Sequence, residues 1–344
     1  MTVLSARRFW AVLFLLLLAA GAAVLVALLL GAEPVRWSAL SFDSFRAAAA
    51  GREVGRDDAI LFQLRLPRVL MAALIGAALS AAGVAFQGLL RNPLADPFIL
   101  GVSGGGALGA VVAITLGVGA IGGRIPATPL FAFIGAFLTI LVVFRLARAG
   151  GRANAETLLL AGVVINAFLS ALILFVISVA KVSTAYGIMS WMMGSVGYES
   201  WSMVSLVAAY VLAGGLLLTG LGRELNLLAL GEDVARQTGV PVERTKAMAF
   251  FAGSLVTGAV VAVAGLIGFV GLIVPHFGRL LLGPDHRLLL PASLLLGAVF
   301  LVACDTLART LIAPAEIPVG VVTALVGGPF FIMLLRRRQR GGTL

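Results

Sequence analysis

A chain of 344 residues that is 61% hydrophobic and 12% charged, with a mean hydropathy of +1.11, is no soluble domain; it reads as a polytopic membrane protein. Its formal charge of +10 does not point to nucleic acid, because the bases are scattered between apolar blocks rather than massed on one face. A single cysteine, Cys304, excludes an internal disulfide framework, and 42 glycines suit helices that pack closely in lipid.

The first apolar block, Phe9 to Leu30, is longer than the hydrophobic region of a typical signal peptide and more such blocks follow, so it reads as an uncleaved first helix. Crossing the hydrocarbon core takes about 20 residues. Spans of that length fit near 9–31, 67–90, 98–118, 128–148, 157–180, 201–222, 247–267, 268–283, 289–308 and 317–335, which makes ten. Within 250–285 the boundaries are least determined, since Gly265, Gly268, Gly271 and Pro275 offer several ways to break one long block. Arg7-Arg8 precede the first span and Arg336-Arg337-Arg338-Gln339-Arg340 follow the last, so both termini are expected in the cytoplasm, which an even number of crossings allows. Arg91, Arg145, Arg148, Arg152, Arg223, Arg236, Arg244, Lys246, Arg279 and Arg287 then fall on the same side, while Arg36, Arg46, Arg52, Arg56, Arg65 and Arg68 lie around one outer loop that also carries Glu33, Asp43, Glu53, Asp57 and Asp58. Gly76-Ala77 with Ala82-Gly83 recurs as Gly258-Ala259 with Ala264-Gly265 in spans of opposite direction. This is the pattern of an inverted repeat, though abundant glycine and alanine would also give it by chance.

The polar stretch from Arg223 to Lys246, with four acids and four bases, interrupts the apolar blocks on the cytoplasmic side. It is too long for a minimal turn and reads as two short helices split at Gly239-Val240-Pro241, where glycine stops one helix and proline starts the next. A charged, folded helical pair on one face of a membrane protein points to a soluble partner there.

Chemistry is otherwise sparse. Neither lysine, Lys181 or Lys246, follows a glycine, so the chain has no phosphate-binding Walker A loop and is not expected to be an enzyme by itself. His276 and His286 lie ten residues apart with no cysteine or paired carboxylate nearby, so no metal site is expected. Gly101-Val102-Ser103-Gly104-Gly105 fits a nucleophile-elbow pattern, but that pattern needs a strand-to-helix turn and nothing predicts a sheet. Asp305 and Arg309, at helical spacing near the outer end of a span, are expected to pair or snorkel outward, and Glu156 and Glu316 sit near span ends. Proton-coupled carriers need buried acids along the pathway. Their scarcity here favours energy supplied by a partner over an ion-coupled secondary transporter. Glycine-rich, broken spans argue against a third reading, a membrane scaffold that binds partners without moving solute.

Three segments carry a resemblance. Gln63-Leu-Arg-Leu-Pro-Arg68 opens the second span, with Arg65 and Arg68 one turn apart and expected at the outer surface. Gln87 to Gly106 holds Arg91-Asn-Pro-Leu-Ala-Asp-Pro97, where two prolines bracket Asp96 and break the helix, then a glycine run that allows close packing as the chain re-enters. Pro314 to Phe331 holds Glu316-Ile-Pro-Val-Gly-Val-Val-Thr-Ala324 and starts the last span. With Val274-Pro-His276 and Gly283-Pro-Asp-His-Arg287, these motifs in this order resemble the FecCD family over nearly the whole chain. That family comprises the inner-membrane permeases of binding-protein-dependent ABC importers for siderophores, haem and cobalamin.

The resemblance implies one all-α transmembrane bundle of about ten spans over residues 1–344. It implies a homodimer in the lipid of a bacterial inner membrane, with two ATP-binding subunits below and a periplasmic substrate-binding protein above. ATP and Mg²⁺ would sit on the partner, and no cofactor on this chain. The pair at 223–246 becomes the coupling region, with Leu228, Leu230, Gly231, Glu232, Val234, Ala235, Arg236 and Gly239 as its candidate residues and the apolar ones as its contact. Arg65, Arg68 and Arg309 resemble the arginines that receive acids of the binding protein. The family lines its pathway with the fifth and tenth spans, and its cytoplasmic gate maps to Ala155 and Glu156, where the cobalamin permease has small hydroxyl residues. A ferric siderophore is the first-ranked cargo because it is the family's commonest, with haem and cobalamin beside it.

Overall fold

The computed structural model describes residues 5–31, 46, 55–122, 125–149 and 152–339. Most of the charged loop expected on the outer side, including Arg36, Arg52, Glu33, Asp43 and Glu53, lies outside the described residues, as does Arg340. Thirteen helices are found among those described. In chain order they are α1 (Ala6–Leu29), α2 (Arg56–Leu89), α3 (Val102–Leu116), α4 (Ala127–Ala147), α5 (Ala155–Val179), α6 (Val182–Met192) and α7 (Trp201–Gly220). Then follow α8 (Gly222–Leu230), α9 (Glu232–Gln237), α10 (Val242–Ala264), α11 (Val270–Leu282), α12 (His286–Thr310) and α13 (Val319–Gln339). Two-residue antiparallel pairs, β1 (Ala120–Ile121) with β2 (Ile125–Pro126) and β3 (Arg148–Ala149) with β4 (Arg152–Ala153), turn the chain before and after α4.

Each of the ten expected spans has its helix. Seven are long and apolar enough to cross a membrane (α1, α2, α4, α5, α7, α10, α12), and α3, α11 and the apolar part of α13 are shorter. Several boundaries differ from the sequence reading for local reasons. The second span begins at Arg56 rather than near 67, and its residues Ile60–Arg65 form a π-helical turn in which the Leu66 N–H bonds to the Leu61 carbonyl. Pro67 has no N–H for the Gln63 carbonyl and its ring crowds that carbonyl, so a wider turn accommodates it without breaking the helix.

The undetermined stretch after 250 breaks at Gly265 (φ 71°) and resumes at Val270, leaving Pro275 inside α11. A side chain at Gly265 would meet the Trp191 carbonyl, so a glycine is required there for space as well as for backbone angle. Helix α6 was not anticipated.

The polar pair is also divided differently. Its first break falls at Gly231, whose φ of 128° and ψ of 149° belong to a region open almost only to glycine. Its second falls at Gly239 (φ 85°), as expected, but the helix after Pro241 runs on into the span as α10 instead of standing apart. The Val240 N–H bonds to the Ala235 carbonyl and the Gly239 N–H to that of Arg236, both at 3.0 Å, the reciprocal closure of a glycine-stopped helix.

Helices α2, α10 and α12 form the buried centre, while α1 and α5 expose most of their length. The centre is held at backbone contact. A Cβ on Gly76 of α2 would land on the Gly297 carbonyl of α12, and a Cβ on Gly297 would land on the Gly76 carbonyl. Gly83 meets the Gly271 carbonyl of α11 in the same way, and Gly105 of α3 and Gly135 of α4 repeat the reciprocal contact. The echoed motif therefore serves two different purposes: Gly76 and Gly83 are crossing points, whereas Gly258 faces the Ala136 side chain and Gly265 ends a helix.

Gly297→Leu is expected to lower the thermal midpoint in detergent sharply, since overpacking costs about 1–3 kcal/mol even where side chains can yield, and here backbone opposes it. Gly21→Leu, on the exposed side of α1 with nothing within 4 Å of its Cβ, is expected to leave the midpoint unchanged. Equal midpoints for the two variants would refute the crossing as a stability determinant.

Candidate functional site

Polar groups concentrate at the two ends of the bundle. At one end stand Arg65 and Arg68 of α2, Asp305 and Arg309 of α12, and Glu316 in the link to α13. The sequence reading put the arginines at the surface. They are instead buried, with Arg65, Arg68 and Arg309 only 6%, 4% and 5% exposed. The reason is the early start of α2, which puts Arg65 and Arg68 well inside a continuous helix.

Each arginine has partners. Arg65 donates to the Leu28 carbonyl at 2.9 Å and Arg309 to the Ala27 carbonyl at 2.5 Å, so two cations meet carbonyls in the last turn of α1, where helical bonding runs out and the dipole is negative. Arg68 donates through Nε (3.2 Å) and Nη2 (3.0 Å) to Asp305 Oδ1, and through Nη1 to both Glu316 oxygens at 3.0 and 2.9 Å. The Tyr198 ring lies 5.2 Å from the Arg68 guanidinium carbon, and its hydroxyl reaches Glu316 at 3.4 Å. Arg309 Nε stands 3.4 Å from Asp305 Oδ2, so the expected pair within α12 exists, but Asp305 is held more closely by Arg68. In this cluster three cations face two carboxylates among the described residues, and of the Arg68 ion-pair partners Glu316 is the accessible one, its side chain 43% exposed.

At the other end α8 and α9 form the polar pair. The candidate coupling residues separate into two sets. Leu228 and Ala235 are buried in the chain's own core with Leu225, Val84, Leu289 and Leu290, which corrects their expected place at a partner contact. Leu230 (63% exposed) and Val234 (42%) point outward on either side of Gly231. Below them Lys246, buried in the first turns of α10, pairs with Glu232 at 2.6 Å, while Arg236 joins Glu232 at 3.2 Å and Glu243 at 3.5 Å. Glu232 and Asp233 also occupy the first turn of α9, where negative charge suits the helix dipole.

Asn226 of α8 sits against the start of α12. Its Oδ1 accepts from the His286 backbone N–H and lies near His286 Nδ1, both at 2.8 Å, while its Nδ2 donates to Asp285 Oδ1 at 2.7 Å. Asp285 caps α12 through the Arg287 N–H, and the bonded Arg287 side chain, helped by Asn226, holds its carboxyl down at about 2. The re-entrant loop is fixed nearby. Gln87 donates to the Ala95 and Gly271 carbonyls and accepts from Arg279, and Asp96 turns the loop by accepting from the Phe98 N–H at 2.7 Å.

Other sequence candidates take structural places. Ser103 lies in the first turn of α3 and donates to the Phe98 carbonyl at 3.1 Å; a tight turn rather than a strand leads into that helix. Ala155 and Glu156 open α5, where the Asn154 side chain accepts from the Glu156 N–H at 3.0 Å. Asn226, the burial of Lys246 and the Arg68 contact of Glu316 were not singled out from sequence. Nothing in a lone polar residue on a short amphipathic helix marks its partner 59 positions away.

Comparison with known proteins bears on the chain as a whole. The FecCD transport family pattern matches residues 8–337. The chain is 48% identical to the ABC transporter permease protein YvrB of Bacillus subtilis over 299 residues, covering 85% of this chain and 84% of that protein. It is 45% identical to the cobalamin import permease BtuC of Halobacterium salinarum (81% and 74% covered) and 41% identical to the hemin transport permease HmuU of Yersinia pestis (82% and 85%). Among solved structures, an inward-facing metal-chelate-type ABC transporter superposes with a TM-score of 0.80 at 31% identity, covering 96% of this chain and 99% of that one. The helical bundle and these matches together lead to one conclusion: the chain belongs to the FecCD transport family of ABC importer permeases and is a multi-pass protein of the inner membrane.

Proposed function

We propose that the chain works as a homodimer, with two ATP-hydrolysing subunits on its cytoplasmic face and a substrate-binding protein on its outer face, and that it imports a bulky metal chelate. The observation that carries this reading is the α8–α9 unit, which offers Leu230 and Val234 on a base tied down by Lys246, a shape that fits a cleft in a soluble partner. The basic residues at that end support a cytoplasmic position for it. ATP and Mg²⁺ belong to the partner, because no Walker A loop occurs in the sequence. The exposed apolar face of α5, with Leu160, Val164 and Phe168, is assigned to the second copy and the pathway, and Ala155 and Glu156 to its cytoplasmic gate. Ferric siderophore, haem and cobalamin share the chelate class. The siderophore retains the first rank given by the resemblance, and the relatives named for cobalamin and hemin support the class as a whole.

The outer arginine cluster is the docking site for the binding protein. Charge reversal would not test it, since removing one member of a buried pair costs on the order of 3–5 kcal/mol and Arg68 holds Asp305. The accessible member is Glu316, so an incoming carboxylate reaches Arg68 by displacing it.

Mild-detergent purification of the tagged chain, with mass measurement of the complex, is expected to yield two copies with two ATPase subunits. A lone chain that moves solute in vesicles without ATP would end this reading. Glu316→Gln removes the internal competitor and is expected to tighten binding-protein docking about threefold at low salt; weaker docking would mean that Glu316 serves the partner instead. Gly231→Ala has space around its Cβ but imposes about 1–3 kcal/mol of backbone strain, and is expected to reduce uptake while the bundle stays folded. Wild-type uptake in that variant would remove the α8–α9 turn from coupling.

A further inference from the structure

Beyond the apolar burial of Leu225, Leu228 and Ala235, the cytoplasmic pair has polar ties to the bundle of two different kinds. Helix α9 is tied to α10 through long, charged side chains, Lys246 to Glu232 and Arg236 to Glu243. The Arg236 contact is accessible and re-forms as side chains change rotamer, while the Lys246 to Glu232 pair, at 2.6 Å with Lys246 buried, keeps α9 in place. Helix α8 buries Leu225 and Leu228 in one apolar cluster with Val84 of α2 and Leu289 and Leu290 of α12. Its polar tie to α12 is the short amide of Asn226, which bonds the backbone and side chains of the first residues of α12. Packing adds to this: a Cβ at Gly222 would press on the Arg287 and His286 backbone, and His286 in turn lies against Gly88 near the end of α2.

The orientation of the amide is fixed by its neighbours. The His286 backbone N–H can only donate, so the oxygen of Asn226 must face it, and the amide nitrogen must face the Asp285 carboxylate. Three short contacts in one side chain leave α8 little freedom to slide over α12. From there α12 runs against α2 with backbone contact at Gly76 and Gly297, and at the opposite end Asp305 is bonded to Arg68 of α2. Helices α2 and α12 are thus cross-tied at both ends and in the middle, a strut reaching from the coupling end to the outer arginine cluster.

We propose that Asn226 is the positioning residue that couples the two ends, by passing displacement between α8 and the α2–α12 strut. This rests on the reading above that an ATPase docks at α8–α9 and a binding protein at the outer cluster. Movement at either end reaches the other through Asn226, while the α9 to α10 ion pairs hold the pair in place without setting its stroke.

The test uses the complete complex with its ATPase subunits in lipid nanodiscs, and reads the ratio of ATP turnover with and without added substrate-binding protein from the same host. Asn226→Ala is expected to lower that ratio about tenfold while the complex stays assembled. Asp285→Asn keeps an oxygen to accept from both Asn226 and the Arg287 N–H, and is expected to stay within about twofold of wild type. Should Asn226→Ala fail to assemble, Asn226→Asp keeps the acceptor for His286 but sets two carboxylates against each other, and is expected to lower the ratio as well. An unchanged ratio in an assembled Asn226 variant overturns the proposal and leaves the docking reading intact. An equal loss in Asp285→Asn overturns it too, because the effect would then follow the charge of the cap. A wild-type chain that recovers no ATPase subunit, or whose turnover ignores the binding protein, overturns the reading beneath it.

Discussion

The contact between α2 and α12 at Gly76 and Gly297 sets the distances on which the rest of the bundle depends. In lipid, apolar burial does not favour one helix pair over another, so close backbone approach and internal polar pairing decide which helices stay together. With no side chain between them, α2 and α12 come near enough for Arg68 to reach Asp305 at one end and for Gly88 to lie against His286 at the other. Gly83 and Gly271 add α11 to the same centre, and Gly105 with Gly135 builds a second tight pair from α3 and α4.

The two polar ends obey one rule. Charged groups withdrawn from water must be matched, and both clusters match them with partners from distant helices. Arg68 is surrounded by Asp305, Glu316 and Tyr198, and Lys246 by Glu232 and Glu243. Arg65 and Arg309 use carbonyls that α1 leaves without helical partners. Each cluster leaves an accessible edge: Glu316 at one end, Leu230 and Val234 at the other. Under the proposed function, these edges are where soluble partners would reach an otherwise closed framework.

Local signals were legible where backbone chemistry alone decides. Gly239 followed by Pro241 stops and restarts the chain as expected, and the prolines bracketing Asp96 mark the re-entrant turn. Gly231 was harder to read. A lone glycine inside a helical pattern is ordinarily tolerated, and only its backbone angles reveal the break between Leu230 and Glu232. Pro67 was misleading in the opposite direction, since a π-helical turn lets α2 run through it. That single difference explains why Arg65 and Arg68 are buried rather than exposed.

The sequence by itself determined the class, the ten apolar helices, the polar interruption at 223–246 and the family, because hydropathy over about 20 residues and short motifs are properties of contiguous chain. Tertiary structure alone decided which of Leu228, Leu230, Val234 and Ala235 faces outward, and that Arg68 meets Asp305 and Asn226 meets His286. Those pairings join positions 237 and 60 residues apart, and they depend on helix rotation and crossing distance, which reciprocal glycine contacts fix only once the helices are packed.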